Sequence, residues 1–64
     1  MEPEFEKVYI ISELYGDGTM RVVSRNEGFA FSSSFVVALE WCQRQEFPNS
    51  YMILAVWILK PRKP

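Results

Sequence analysis

The side chains that most often carry chemistry are scarce in this chain. It has no histidine and one cysteine, Cys42, so a cysteine nucleophile would have no imidazole beside it to accept its proton. A lone cysteine cannot form an internal disulfide, and no metal-ligand spacing is present. No carboxylate pair has a setting that suggests acid–base work. We therefore expect a protein that is not an enzyme and that has no cofactor and no metal site.

The glycine-rich segment YGDGT, residues 15–19, is too short for a phosphate-binding loop, and no helical pattern follows it directly. Two glycines flanking Asp17 instead supply the positive φ angles of a tight hairpin turn. Residues 5–15 and 19–25, on either side of it, are rich in β-branched and aromatic residues and are predicted to be the two strands of the hairpin.

A helix is predicted after the hairpin. Residues 25–28, RNEG, are typical of a turn, and residues 29–31 fit either a short strand or the end of the second strand past a bulge. Serines 32–34 offer N-cap hydroxyls for a helix over residues 35–46. Pro48 cannot continue that helix, so the segment FPNS is expected to stop it.

The most apolar segment is YMILAVWILK, residues 51–60. It is too short and too β-branched for a second helix and is bounded by turn residues, so it is predicted to be a strand that ends at Pro61. The predicted fold class is α+β: an antiparallel sheet of three strands, or four if residues 29–31 form one. The strand order is 2-1-3, and one helix packs on one face.

Length allows one domain, residues 1–64, with residues 1–4 and 61–64 as flexible ends. The chain shows no signal-peptide pattern and no apolar run long enough to cross a membrane, so a cytoplasmic location is expected. The net charge is −1, which argues against a basic nucleic-acid binder or a strongly acidic DNA mimic. Acidic residues gather toward the amino end and basic residues toward the carboxyl end, which predicts an electrostatically polarised molecule.

The apolar residues exceed what one helix can cover. Val8, Ile10 and Leu14 share one parity of the first strand, Phe5, Tyr9, Ile11 and Tyr15 share the other, and both parities of the last strand are apolar. One sheet face is therefore predicted to lack internal cover, although the pattern leaves open which face that is. Such apolar patches usually mark interaction sites. The alternative is that the twist of a small sheet hides most of this surface.

The predicted helix has a mixed pattern. Its buried stripe holds Phe35, Ala38, Leu39, Trp41 and Cys42, and the polar residues Glu40, Gln43 and Arg44 lie opposite. Val36 and Val37 fall outside the stripe and are expected to face solvent, which marks them as candidate contact residues.

From the helix onward the chain resembles the small inhibitors of bacterial RNA polymerase encoded by T-odd-type podophages. The resemblance is carried by residues 38–40, ALE, followed by Trp41, Cys42, Gln45 and Pro48, and by a strand that ends at Lys60, Pro61 and Arg62. It implies a viral sheet-and-helix domain that binds and inhibits the host polymerase in the host cytoplasm. Where that family has acidic residues in the first helical turn, this chain has Val36 and Val37, and its last strand lacks interior arginines.

Three functions follow as hypotheses. The leading one is a module that binds a host protein, RNA polymerase or another host or defence enzyme, and occludes its surface, with Trp57 or Tyr15 as the aromatic anchor. The second is a structural homodimer. The third is a binder of single-stranded nucleic acid that stacks bases on Phe5, Tyr9, Tyr15 or Trp57, with Arg21 and Arg25 close by. The residues predicted to contact a partner are Tyr9, Tyr15, Asp17, Arg21, Arg25, Val36, Val37 and Trp57.

Overall fold

The computed structural model describes residues 3–60 and confirms the α+β class and the element order. Three strands form one antiparallel sheet in the order β2-β1-β3, and one helix packs on it. The elements are β1 (Phe5–Leu14), β2 (Met20–Val22), α1 (Phe35–Gln43) and β3 (Tyr51–Leu59). The predictions for residues 1, 2 and 61–64 lie outside the described residues.

The long antiparallel pair of β1 and β3 is the frame of the fold. Nine residue pairs join them, from Phe5 opposite Leu59 to Glu13 opposite Tyr51. The Lys60 N–H donates to the Glu4 carbonyl at 2.9 Å, which extends the ladder by one step. The Cα radius of gyration is 13.6 Å, against about 11 Å for a compact domain of this length. The molecule is therefore elongated along this pair of strands.

The predicted hairpin is present and its turn is locally stabilised. The Tyr15 N–H donates to the Thr19 carbonyl at 2.8 Å, and Gly18 adopts a φ of 90°, a region that favours glycine. The Asp17 carboxylate accepts bonds from the Thr19 hydroxyl at 2.6 Å and from its N–H at 3.0 Å. These two bonds hold the pKa of the Asp17 carboxyl below its ordinary value.

The second strand ends earlier than predicted, at Val22, and the chain enters a 3-10 helix soon after, at Arg25. Val23 is buried in the core, and its N–H donates to the Ile11 carbonyl at 2.8 Å. The predicted turn that follows is a short 3-10 helix, Arg25–Glu27, which ends at Gly28 with a φ of 100°. Residues 29–31 are not a strand, and only Ser32 makes an isolated bridge, to Tyr9. The sheet thus has three strands in the part of the chain that is described.

Helix α1 begins as predicted and ends three residues early. The Ser34 hydroxyl caps it by accepting the Val37 N–H at 3.4 Å. At the other end the N–H of Arg44 is shared between the Glu40 and Trp41 carbonyls, and the Gln45 N–H reaches the Cys42 carbonyl. The last turn has tightened to 3-10 geometry, which ends the helix before Pro48.

The core is small and lies between α1 and one end of the sheet. Its buried members are Ile11, Val23, Phe29, Ala38, Trp41 and Cys42. The Trp41 ring meets Tyr51 edge-on with centroids 5.3 Å apart. Of the stripe predicted on the helix, Ala38, Trp41 and Cys42 are buried, but Phe35 and Leu39 remain partly exposed.

Replacing Ile11 by alanine is expected to destabilise the fold strongly. Its side chain is 0% exposed at the centre of the sheet, so truncation leaves a cavity that costs about 2–5 kcal/mol. Urea denaturation followed by circular dichroism measures this loss. Val36→Ala on the exposed side of α1 is the control and is expected to change stability by less than about 0.5 kcal/mol. Equal losses in both variants would contradict this placement of the core.

Candidate functional site

The structure decides which sheet face the helix covers. Tyr9, Ile11, Tyr51 and Ile53 pack on the helix side, so the odd-numbered side chains of β1 and β3 share that face. The even-numbered side chains of all three strands lie on the opposite face, which we call the open face. These are Glu6, Val8, Ile10, Ser12, Leu14, Met20, Val22, Met52, Leu54, Val56 and Ile58.

The open face is almost entirely apolar. None of its side chains belongs to the core cluster that forms with α1, and its polar side chains are Glu6, near one end, and Ser12, which is buried. Val8 is also buried, so part of this surface is hidden, in the direction of the alternative hypothesis. The apolar area left exposed is on the order of 500 Å², a size at which such patches are often functional.

The most exposed side chains of the open face form one cluster at the hairpin end. Val22 and Met52 flank Ser12 on its two neighbouring strands, and Leu14 lies opposite Met20 in the adjacent row. These four side chains, Leu14, Met20, Val22 and Met52, are 43–55% exposed, and we call them the apolar patch. They lie on a hydrogen-bonded sheet, so their backbone positions are fixed.

A second uncovered surface lies on the helix side of the sheet, beyond the reach of α1. Phe5, Trp57 and Leu59 are exposed there, and Trp57 is among the most exposed side chains of the protein at 67%. We call this end of the β1–β3 pair the distal arm. A two-stranded ribbon is only marginally stable in water by itself. The distal arm therefore has apolar side chains that the fold does not use.

A groove of about 440 Å³ runs between α1 and β3. Phe35, Leu39 and Cys42 line it from the helix, Tyr51 and Ile53 from β3, and Pro48 from the connection between them. No residue of β1 or β2 contributes to its wall, so it lies along the sheet edge that β3 forms. Phe35 and Leu39, predicted to be buried, owe their exposure to this groove.

A polar network occupies the helix side of the hairpin. The Arg21 guanidinium donates to the Tyr15 hydroxyl at 2.6 Å, to Glu13 at 2.7 Å and to Glu27 at 2.6 Å. The hydrogen bonds from Arg21 lower the pKa of Glu27 to about 2, and the same contacts raise the pKa of Arg21. This network ties the 3-10 helix to the hairpin.

The predicted contact residues fall into separate groups. Tyr15, Asp17 and Arg21 lie at the hairpin, where each makes the local hydrogen bonds given above. Arg25 begins the 3-10 helix and is exposed. Tyr9 is half-buried, with its ring 5.6 Å from Phe35. The remaining ones, Val36 and Val37 on α1 and Trp57 on the distal arm, are exposed.

The aromatic side chains named in the nucleic-acid hypothesis do not lie on the open face. Phe5, Tyr9 and Trp57 lie on the helix side, because strand register gives them the same parity as Ile11. Arg21 also points to the helix side, where it pairs with Glu13. The open face thus presents aliphatic and methionine side chains, without the stacking platform that the nucleic-acid hypothesis needs.

Sequence reasoning missed the apolar patch as a site. The signal was present in the shared parity of Leu14, Met20 and Val22 across the hairpin. It was not decisive because both parities of β3 are apolar, so the pattern alone did not identify the face that lacks cover.

The lone cysteine, Cys42, has a place in the core. Cys42 is buried, and burial raises the pKa of its thiol, so it packs as a small neutral side chain. Among residues 3–60 no three His, Cys, Asp or Glu side chains are grouped to hold a metal ion. No helix in that range has the length and apolar character required to cross a membrane.

Comparisons with protein-family profiles, curated proteins and solved structures found no match to this chain. The resemblance to the phage polymerase inhibitors therefore stays a prediction that rests on the quoted residues from Ala38 onward.

The Arg21–Glu27 pair predicts an acid-sensitive contribution to stability. The folded pKa of Glu27 is about 2, below the ordinary value of 4.5, so the unfolded chain binds the proton more readily. The contribution is present above pH 4.5 and is lost as the pH falls toward about 2. Across this pH window the melting temperature of Glu27→Gln should change less with pH than the melting temperature of the wild type.

Glu40→Gln is the matched control, because Glu40 is an exposed residue of α1 with no ion pair in the part of the chain that is described. The melting temperature of this variant should depend on pH as steeply as that of the wild type. If Glu27→Gln also kept that slope, the ion pair would not contribute to folding.

Proposed function

We propose that this chain is a small, non-enzymatic protein-binding module that acts by covering part of the surface of a larger macromolecule. The observation that carries the proposal is the apolar patch, four exposed side chains at the hairpin end of a face without cover. Full burial of a large apolar side chain gains roughly 1.5–3 kcal/mol, and these four are about half exposed, so roughly half of that gain is still available for each. A partner surface recovers that free energy.

The construction of the patch favours a protein partner. Leu14 and Val22 are fixed on paired strands, so little conformational entropy is lost when they bind. Met20 and Met52 have flexible thioether side chains that adapt to an irregular surface. The hairpin tip with Asp17 borders the patch, which matches the usual arrangement of a polar rim beside an apolar centre.

The first target to test is bacterial RNA polymerase, with the chain acting as a phage-encoded inhibitor in the host cytoplasm. The support is the resemblance from Ala38 onward and the shared order of hairpin, helix and strand. This chain differs from that family in presenting Val36 and Val37 at the helix start, both exposed. The helix start thus lacks the charged contact of that family, and we propose that the apolar patch makes the contact instead, on this polymerase or on another host or defence enzyme.

A matched pair of substitutions tests which surface makes the contact. Val22 in the apolar patch and Val36 on α1 are similarly exposed, at 53% and 58%, so Val→Lys at either position disturbs folding to a similar extent. Val22→Lys is expected to weaken binding to the purified polymerase at least about tenfold, which corresponds to about 1.4 kcal/mol. Val36→Lys should change it little.

Binding is measured with immobilised chain, and circular dichroism confirms that both variants fold. Loss of binding in Val36→Lys alone would move the contact to the helix and overturn the assignment to the open face. If the wild type neither binds the polymerase nor inhibits transcription in vitro, that target is wrong.

A further inference from the structure

The outer edge of β3 is unpaired in residues 3–60. Tyr9 exchanges both backbone hydrogen bonds with Ser32, at 2.7 and 3.0 Å, so the odd-numbered residues of β1 direct their backbone groups away from β3. The even-numbered residues of β3 therefore bond to β1, and its odd-numbered residues direct their N–H and C=O groups to the free edge. These are Tyr51, Ile53, Ala55, Trp57 and Leu59.

This edge has none of the features that keep exposed strands from pairing. Natural edge strands carry charged side chains, proline or a bulge, or they are very short. Strand β3 has nine residues, YMILAVWIL, without a charge, a proline or a glycine, and its ladder with β1 is uninterrupted. Another strand can therefore pair with this edge along its whole length.

We propose that the strand it receives is β3 of a second copy of this chain, paired antiparallel about a two-fold axis at Ala55. This register uses the full length of the strand, since Ala55 is its central residue. Tyr51 then lies opposite the partner's Leu59, and Ile53 lies opposite the partner's Trp57. Every opposed pair is apolar, so no like charges meet, and all five outward-facing residues fall in hydrogen-bonded positions.

The groove beside α1 accounts for the choice of a second copy over an unrelated strand. Ile53 lines this groove, and residues opposite each other on neighbouring strands project to the same face. The partner's Trp57 is therefore directed toward Phe35 and Leu39, and the partner's Leu59 toward Tyr51. Each copy has exposed apolar side chains on its distal arm and a groove at the matching distance from the two-fold axis.

The dimer would cover side chains that the monomer leaves exposed. Phe35, Leu39, Trp57 and Leu59 are 38–67% exposed on each copy, and together with the strand edge they form one apolar surface of the kind found at the centre of small interfaces. Both helices lie on one side of the resulting six-stranded sheet. The open face lies on the other side, so this pairing leaves the proposed partner-binding patch free and does not depend on it.

The oligomeric state tests the proposal. The wild-type chain, 7.5 kDa as a monomer, is expected to show twice that mass by light scattering at tens of micromolar. Trp57→Ala should raise the dimer dissociation constant at least tenfold with unchanged circular dichroism. Phe5→Ala is the matched control, since Phe5 is an exposed aromatic residue of the same arm but lies on β1, away from the edge. It should leave the dimer intact.

Proline provides a second test that separates assembly from folding. The Ala55 N–H points to the free edge, so Ala55→Pro should fold as a monomer, because prolines are tolerated at such positions. Val56→Pro removes an N–H that bonds to β1, and this variant should unfold. A dimer that persists in both Trp57→Ala and Ala55→Pro, or a wild type that is monomeric at high micromolar concentration, would overturn the proposal.

Cross-linking tests the register itself. The two-fold axis places the two copies of residue 55 in a hydrogen-bonded pair with Cα atoms about 5.5 Å apart, within the range of a disulfide. Ala55→Cys is expected to form a covalent dimer under mild oxidation. Leu59→Cys should not, because residue 59 lies opposite residue 51 in this register. Efficient cross-linking at residue 59 with none at residue 55 would contradict it.

Discussion

The structure depends on a mismatch in length between its one helix and its sheet. The nine residues of α1 span about 14 Å, whereas nine strand residues span about 30 Å. The helix therefore covers one end of one sheet face, where the core around Ile11 and Trp41 forms. That single helix leaves three surfaces uncovered: the distal arm, the groove beside β3 and the open face.

The charges follow from the same strand pairing. The acidic amino-terminal residues and the basic carboxyl-terminal residues predict a polarised molecule from their positions in the sequence. The antiparallel pairing of β1 with β3 brings Glu4 and Lys60 to the same end, so opposite charges there lie side by side. At the other end Arg21 pairs with both Glu13 and Glu27. Strand pairing thus brings opposite charges together at both ends of the sheet, and the uncovered surfaces of the sheet are distinguished by their apolar side chains.

Much of the fold could be predicted because its signals are local. The turn around Asp17, the serine cap at Ser34 and the β-branched run of β3 each act within a few residues, and the structure confirms the hairpin, the cap and the strand. Of the two glycines predicted to take positive φ angles in the turn, Gly18 does and Gly16 does not. The exposure of Val36 was also predicted correctly from helical periodicity. The sheet face that the helix covers could not be predicted, because both parities of β1 and β3 are apolar and only packing with α1 distinguishes them. The groove was missed because it depends on how far the helix extends across the sheet, a distance that periodicity does not encode.

The pairing of β1 with β3 also has a consequence for folding kinetics. Phe5 meets Leu59 across 54 positions of sequence and Glu13 meets Tyr51 across 38, so closing these loops costs chain entropy before any contact is gained. The β1–β2 hairpin closes over far shorter distances and forms without this delay. The slow step is then the docking of β3, and until it occurs the central strand has a bare edge. A chain with so small a helix is expected to fold on the timescale of β-rich domains. Until β3 docks, the unpaired edge of the central strand is exposed to aggregation, and chaperones protect the chain most at that stage.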